Sequence, residues 1–351
     1  MTGNKKFSII IMLLSIAAIS HVSNAQDKKY KSALIGFYNL ENLFDTIDGP
    51  NNDAEFLPGG ANRYNASVYR DKLGKLSDVI SQIGTDISPE GLVVMGCAEI
   101  ENETVLMDLV SQQSVKDRRY RIVHYDSPDE RGIDVALIYN PKYFTVKHSE
   151  KLFVPLPMVD SVARYTRDIL YVFGLLDGEP LHLFVNHWPS RRGGEEASAP
   201  WRMIAAGVVK HKSDSILNTD PGAGIIIMGD LNDDPISPSV ARVLNAKGRK
   251  EAVMEKDLYN PWMDYYKNGN GTLAYNDAWN LFDQIIISEG LLNKDEDGFY
   301  FADAHIFKKD FLVQKTGRFK GYPKRTYNFN KYVGGYSDHF PTYIVFLKEV
   351  K

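Results

Sequence analysis

Eight short apolar runs punctuate the chain, at residues 34–38, 92–98, 135–139, 170–175, 181–185, 225–228, 284–287 and 343–347. Each is rich in β-branched residues and bounded by polar clusters, the pattern of a strand buried in a sheet. Elsewhere the period lengthens. Leu73, Leu76, Val79, Ile80 and Ile83 recur three and four positions apart, which puts them on one face of a helix. Val105, Leu106, Leu109 and Val110 mark a second helix, residues 201–217 a third, and residues 237–245 a short fourth. Strands and helices alternating in this way predict an α/β chain with roughly eight or more core strands. Residues 247–271 and 317–336 follow neither period and read as loops. There is no internal repeat and no linker that would divide the chain.

The first 25 residues do not fit that pattern. Lys5 and Lys6 precede an almost wholly apolar stretch from residue 7 to residue 19, closed by Ser23, Asn24 and Ala25. A basic start, a short apolar core and small residues at the end are the marks of a secretory signal peptide. A membrane span needs about 20 apolar residues, more than this stretch supplies. The expectation is therefore a signal peptide over 1–25, a catalytic domain over 30–351, and a secreted or periplasmic protein with no stable membrane insertion once the peptide is removed.

Charge narrows the function classes. The chain carries 41 basic and 45 acidic residues, a balance of −4. Losing Lys5 and Lys6 takes it to −6, which excludes a protein that coats nucleic acid by charge alone. A single cysteine, Cys97, excludes a disulfide framework and a cysteine-based zinc site.

The chemistry collects at the strand ends. Asn39 follows the first run, in Phe37-Tyr38-Asn39-Leu40-Glu41-Asn42-Leu43-Phe44-Asp45. Glu99 follows the second, in Cys97-Ala98-Glu99-Ile100-Glu101-Asn102. Asn186-His187-Trp188-Pro189 follows the fifth and Gly229-Asp230-Leu231-Asn232-Asp233 the sixth. Ser337-Asp338-His339-Phe340 precedes the last. One Asp or Asn after a strand is ordinarily a turn former. Five such sites at the positions where α/β sheets present side chains to a shared crevice point to a ligand site instead. Carboxylates, carboxamides and two histidines suit a hard cation with a phosphate beside it.

These motifs, in this order, resemble the endonuclease/exonuclease/phosphatase superfamily, which includes pancreatic-type deoxyribonuclease, abasic-site endonucleases, neutral sphingomyelinases and inositol-polyphosphate 5-phosphatases. The resemblance spans about residues 34–346. Gly229-Asp230-Leu231-Asn232 and Ser337-Asp338-His339 carry it most specifically. The Asn-Leu-Glu-Asn-Leu-Phe-Asp start and the Asn-His-Trp-Pro-Ser-Arg-Arg-Gly-Gly stretch resemble a secreted bacterial branch. The resemblance implies a four-layer α/β sandwich, two packed mixed sheets with helices outside.

It also implies roles. Glu99 resembles the principal metal-binding carboxylate, with Asn39 beside it and Asp338 as a second contact to Mg2+ or Mn2+. Asp230 resembles the residue that orients or deprotonates the attacking water, and Asn232 the carboxamide that holds a phosphate oxygen. His339 resembles the phosphate-contacting histidine, and Asp283 the carboxylate that fixes its tautomer. His187 resembles the general acid of the deoxyribonuclease branch; near its ordinary pKa of about 6.5 it would serve at neutral pH. Asp134, in Arg131-Gly132-Ile133-Asp134-Val135-Ala136, is a candidate to orient His187, with a salt bridge at the strand start as the other reading. Arg191 and Arg192 suit phosphate contacts, or form a solvated loop balanced by Glu195 and Glu196. Lys324 and Arg325 read as a solvated face, with a second contact to a phosphate backbone as the other reading. Glu101 reads as an outer carboxylate or a helix-start residue, and Trp188 and Trp201 as core or rim packing, with stacking on a base as the other reading.

The expected function is a metal-dependent phosphodiesterase acting on nucleic acid, with no protein partner. Two alternatives stand beside it. One is a phosphoesterase of the same superfamily acting on a phospholipid or phosphorylated small molecule. The other is a non-catalytic binding module, which would require the loss of a residue such as Glu99 or Asp230, and none is lost.

Overall fold

The computed structural model describes residues 29–293 and 297–350. The expected signal peptide, residues 1–25, lies outside them. In chain order the main elements are β1 (Lys29–Leu43), α1 (Ala66–Gln82), β2 (Leu92–Ile100), α2 (Glu103–Val110), β3 (Arg121–His124), β4 (Asp134–Tyr139), β5 (Phe144–Leu152), β6 (Ile169–Leu176), β7 (Glu179–His187), α3 (Glu195–Thr219), β8 (Ile225–Asp230), β9 (Leu258–Tyr259), α4 (Trp262–Lys267), β10 (Leu273–Tyr275), β11 (Ala278–Asn280), β12 (Asp283–Ser288), β13 (Tyr300–Ile306), β14 (Tyr327–Asn328), β15 (Lys331–Tyr332) and β16 (Thr342–Val350).

Twelve of the strands form two six-stranded sheets, ordered β13-β16-β1-β2-β4-β3 and β5-β6-β7-β8-β12-β9. Both are mixed: β1 and β2 run parallel, as do β7 and β8, and their other neighbours are antiparallel. The alternation along each strand explains the stacking. In β1, Ile35 and Phe37 enter a core between the sheets with Val94, Val185, Met228, Ile285, Ile344 and Phe346. Leu34 and Tyr38, one residue out of phase, face Leu76, Val79, Ile80 and Ile83 from α1. On the other sheet, Phe184, Ile225 and Ile227 pack on Ala205, Ala206 and Val209 of α3. The result is the expected four-layer sandwich, helix on sheet on sheet on helix.

Local chemistry sets the helix starts. Asn65 caps α1 by accepting from the backbone N–H groups of Ser67 and Val68, an arrangement worth about 1 kcal/mol. Asn102 caps α2 in the same way through Val105.

Several elements lie outside the apolar pattern. Strand β5 alternates irregularly between exposed and part-buried residues at a sheet edge, so its sequence lacks a strand's apolar rhythm. The region 247–271 holds β9 and α4, and residues 317–336 hold the β14–β15 hairpin. Residues 239–243 form one wide helical turn in place of the fourth helix. Cys97 is buried between β1 and α1 residues, and burial pushes its thiol up to about 12.

Candidate active site

The two sheets deliver their polar residues to one end of the sandwich by register. In the second sheet His187 pairs with Asp230 across parallel β7 and β8, and Asp230 pairs with Asp283 across antiparallel β8 and β12. In the first sheet Asn39 pairs with Ala98 near the ends of β1 and β2. Glu99, the next residue, falls where the register shifts on both sides of β2, and its backbone is left-handed at φ 60°. A bulge of this kind re-aims one side chain that regular pleating would turn elsewhere. Asp338 and His339 enter just before β16, which runs antiparallel to β1.

Those placements converge on one atom. Asp230 Oδ2 lies 3.1 Å from Asn39 Nδ2, 3.6 Å from His187 Nε2 and 3.8 Å from His339 Nε2. The group extends both ways, with Glu99 Oε1 3.8 Å from His187 Nε2 and Asp338 Oδ1 3.9 Å from His339 Nε2. Glu99 and Asp338, widely separated in sequence, therefore occupy one cleft. Asn232 joins them from the turn after β8: its backbone N–H donates to Asp230 Oδ1 at 3.0 Å, and its amide donates to the Trp188 carbonyl at 2.9 Å. That leaves the amide one free N–H.

The two histidines are held differently. His339 Nδ1 meets Asp283 Oδ2 at 2.7 Å, and both residues are buried. Burial alone would lower the His339 pKa, but the carboxylates of Asp283, Asp230 and Asp338 outweigh it and hold the imidazole well above its usual value. His187 is buried with no such partner. Its Nδ1 has no hydrogen-bond partner among the described residues. Burial, with the charges of Arg167, Arg131 and His339, keeps its pKa well below the usual value. This corrects the expectation of a near-neutral titration: the imidazole is uncharged, and it can donate a hydrogen bond but is no reservoir of positive charge.

Asp230 is pushed up to about 6, first by burial, then by Asp283 and Glu99, with His339 pulling the other way. At neutral pH it remains largely ionised and able to accept a proton. Asp338 is held below the usual carboxylate range; His339 and Arg325 prevail over its burial.

Two further expectations need correction. Asp134 does not orient His187. Its Oδ2 lies 2.9 Å from His124 Nε2, and its Oδ1 accepts from Ser127 N–H. Arg191 is not a free phosphate ligand. Its guanidinium donates to the Asn232 carbonyl at 3.0 Å, meets Asp234 at 3.1 Å and Glu195 at 2.9 Å, and lies over the Phe282 ring. It braces the turn that carries Asn232. Arg192 is exposed on the same loop.

Other residues to which the sequence assigns no role build the site, and Arg325, read there as part of a solvated face, is among them. Arg167, buried, donates from Nε to the His187 carbonyl at 3.1 Å and pairs with Asp129 at 3.0 Å. Ser337 donates to the Asn39 carbonyl at 2.7 Å and accepts from His339 N–H, tying the two ends of the chain together. Glu41 accepts from Thr326 N–H at 2.6 Å and is pushed up to about 7 by burial and by Asp338. Lys72, fully buried on α1, donates to Thr326 Oγ1 at 2.7 Å. Arg325 bridges Asp338 at 2.7 Å and Glu41 at 3.6 Å.

Ligand atoms of Asp230, Asp283 and His339 all fall within 4.8 Å of one another, as do those of His124, Asp126 and Asp134. The first trio has the spacing of a metal site, but its Asp283–His339 contact at 2.7 Å is that of a charge-assisted hydrogen bond between imidazole and carboxylate. The donor set that suits a hard cation lies beside it. Glu99 keeps Oε1 free while Oε2 accepts from Asn42 N–H at 3.0 Å. Asp338 keeps Oδ1, and among the described residues the Asn39 amide oxygen accepts only from Glu41 N–H. Oxygen donors of this kind fit a magnesium-like ion.

Two mixed sheets stacked under helices, with carboxylates, carboxamides and two imidazoles at one rim, define a phosphoesterase. The model of the Endonuclease/Exonuclease/phosphatase family matches residues 34–348, and the chain belongs to that family. It is thus a hydrolase of phosphate ester bonds, and enzymes of the family typically depend on a divalent metal ion. No curated protein matches the chain significantly by sequence. Among solved structures it is similar to a humanized D. rerio TDP2, with 14% identity, a TM-score of 0.53 and coverage of 90% of this chain and 98% of that one. A family protein from Bacteroides thetaiotaomicron matches at 16% identity and TM-score 0.53, covering 92% and 97%. A mannosyl-6-phosphatase from Bacteroides thetaiotaomicron matches at 16% identity and TM-score 0.51, covering 91% and 100%. These likenesses are of fold. Among the described residues no helix is long and apolar enough to cross a membrane.

Proposed function

We propose that this protein is an exported, Mg2+- or Mn2+-dependent phosphodiesterase that hydrolyses nucleic acid. The observation that carries the reading is the convergence on Asp230 Oδ2 of Asn39, His187 and His339, between Glu99 on one side and Asp338 on the other. A hydrolase of phosphodiesters needs a base for water, a positive field for the phosphoryl oxygens and a donor for the leaving oxygen. Each has an occupant here.

Asp230, ionised and oriented by Asn39 and the Asn232 backbone, takes the proton of the attacking water. His339, kept protonated by Asp283, supplies positive charge to the phosphoryl oxygens, and the free N–H of Asn232 binds one of them. Neutral His187 donates a hydrogen bond from Nε2 toward the leaving oxygen, which departs as an alkoxide and takes its proton from solvent water. Glu99, with Asp338 and Asn39, would hold the divalent ion, whose chemistry is to neutralise charge that develops on the phosphoryl group. Fixing these groups on strand ends supplies much of the advantage, because charged donors already in place need no reorganisation during reaction.

The same machinery would serve a phosphorylated sugar, the substrate that names one of the structural neighbours. A single panel separates the readings. Plasmid DNA, single-stranded DNA, RNA, sphingomyelin, a sugar phosphate and bis-p-nitrophenyl phosphate are assayed with magnesium and with chelator. Turnover of a nucleic acid that stops in chelator supports the proposal. Turnover confined to the sugar phosphate or sphingomyelin refutes it. For export, a mature chain beginning at Gln26 is the expected product of processing, read by intact mass from the periplasmic or culture fraction.

A further inference from the structure

The segment between Asp310 and Asp338 stands apart from the rest of this acidic chain. Residues 311–337 include six cations, Lys315, Arg318, Lys320, Lys324, Arg325 and Lys331, and no acidic residue. The segment is anchored at the candidate active site, since Arg325 pairs with Asp338 at 2.7 Å and Thr326 N–H donates to Glu41. Directly beyond Thr326 the β14–β15 hairpin turns through Phe329 and Asn330. Phe329 is 88% exposed, the highest value among the large exposed hydrophobic side chains, and its backbone is left-handed at φ 52°. That hairpin position ordinarily takes glycine or asparagine, and a phenylalanine there meets strain without gaining burial. Packing does not account for it.

Lys315 pairs with Asp310 and Arg325 with Asp338 and Glu41, so Arg318, Lys320, Lys324 and Lys331 are the segment's cations without a carboxylate ion pair among the described residues. A segment with such cations and an exposed ring matches a polyanion with flat apolar groups. We propose that this segment docks single-stranded nucleic acid, with Phe329 stacking on an unpaired base and Lys331 and its neighbours following the phosphates. The proposal rests on the nucleic-acid reading of the site and adds strand selection to it. Three residues of chain separate Phe329 from Thr326, at most about 11 Å, so the ring reaches only bases close to the scissile phosphate. In a duplex those bases are stacked on one another and unavailable, whereas in a single strand each presents a face. The apolar surface at the tip is otherwise limited to Val333, 42% exposed, too little for insertion into a lipid surface.

The test compares the full chain with Phe329→Ala, Phe329→Trp and Lys331→Ala on a single-stranded oligonucleotide, its duplex and bis-p-nitrophenyl phosphate, with binding to phosphatidylserine vesicles measured alongside. The expected result is a KM for the single strand raised about tenfold or more in Phe329→Ala, restored in Phe329→Trp, with bis-p-nitrophenyl phosphate turnover unchanged. Lys331→Ala should reduce the slope of log affinity against log salt by about 0.7. An unchanged KM in Phe329→Ala, in an enzyme that cleaves the oligonucleotide, overturns the docking proposal and leaves the nuclease reading intact. Loss of vesicle binding in place of a KM effect reassigns the hairpin to membranes and overturns it likewise. A wild-type chain that turns over bis-p-nitrophenyl phosphate but no nucleic acid removes both.

Discussion

His187 and His339 flank the same carboxylate oxygen, at 3.6 and 3.8 Å, and both are buried. One is held neutral and the other charged. Burial acts alike on both, because a low dielectric disfavours an imidazolium wherever it sits. The difference lies in what each Nδ1 meets. For His339 it is the Asp283 carboxylate at 2.7 Å; for His187 it is no hydrogen-bonding group among the described residues, with Arg167 bound to its own carbonyl. Burial pushes both rings toward the neutral form, and it prevails at His187, where Arg167 and Arg131 add to it. At His339 the carboxylates of Asp283, Asp230 and Asp338 outweigh it, so neighbouring charge rather than depth separates the two rings.

The contrast can be broken in several places. The largest effect is expected at the shared carboxylate: Asp230→Asn should lower turnover about a thousandfold or more by removing the proposed base, with folding retained by circular dichroism. In the wild type, turnover should fall about tenfold per pH unit below about 6, as Asp230 takes up a proton and loses its capacity to accept one. A profile flat to pH 4 would refute its role. His187→Ala should cost about a hundredfold in turnover if the ring serves the leaving oxygen; near-normal rates would return it to a structural role. Asp283→Asn probes the charged ring. With the carboxylate gone, burial lowers the His339 pKa, so the proton is lost at lower pH and the alkaline limb of activity moves toward neutrality. The shift is readable by NMR titration of the imidazole, and turnover at pH 7 should drop about tenfold. The smallest effect is expected at Asp134→Asn, which loses the His124 contact and should lower thermal stability while changing turnover less than about threefold, because Asp134 does not touch His187.

The sequence shows the frame of this site better than its wiring. Strands such as residues 225–228 are legible because burial on both faces demands unbroken β-branched runs, and the polar residue that ends each run then stands out. Asn39, Glu99, His187, Asp230, Asn232, Asp338 and His339 all stand out on that ground, and the structure brings them together. Partnerships are less legible, because they depend on which strands become neighbours. Asp134 and Asp283 both lie at strand starts, yet only the second faces a cleft histidine, since β12 lies beside β8 and β4 does not. Arg167 reads as an ordinary cation in a polar stretch; its bond to the His187 carbonyl exists only after β6 and β7 pair. Glu41 is hidden by its company in a motif whose other members carry the signal, whereas Arg191 stands out but for a phosphate contact, because its partners, Asp234 and the Asn232 carbonyl, reach it only through the fold. Edge strand β5 lacks an apolar rhythm because one margin of it faces water.

Cys97 offers a practical consequence. It is the only sulfhydryl in the chain, is enclosed between sheet and helix, and holds its proton up to about 12. Alkylating reagents attack the thiolate, so the native molecule offers them almost nothing. A Phe329→Cys variant would then carry one addressable handle, at the tip of the hairpin. A fluorophore attached there would report whatever approaches the cleft, with no background from the scaffold to subtract.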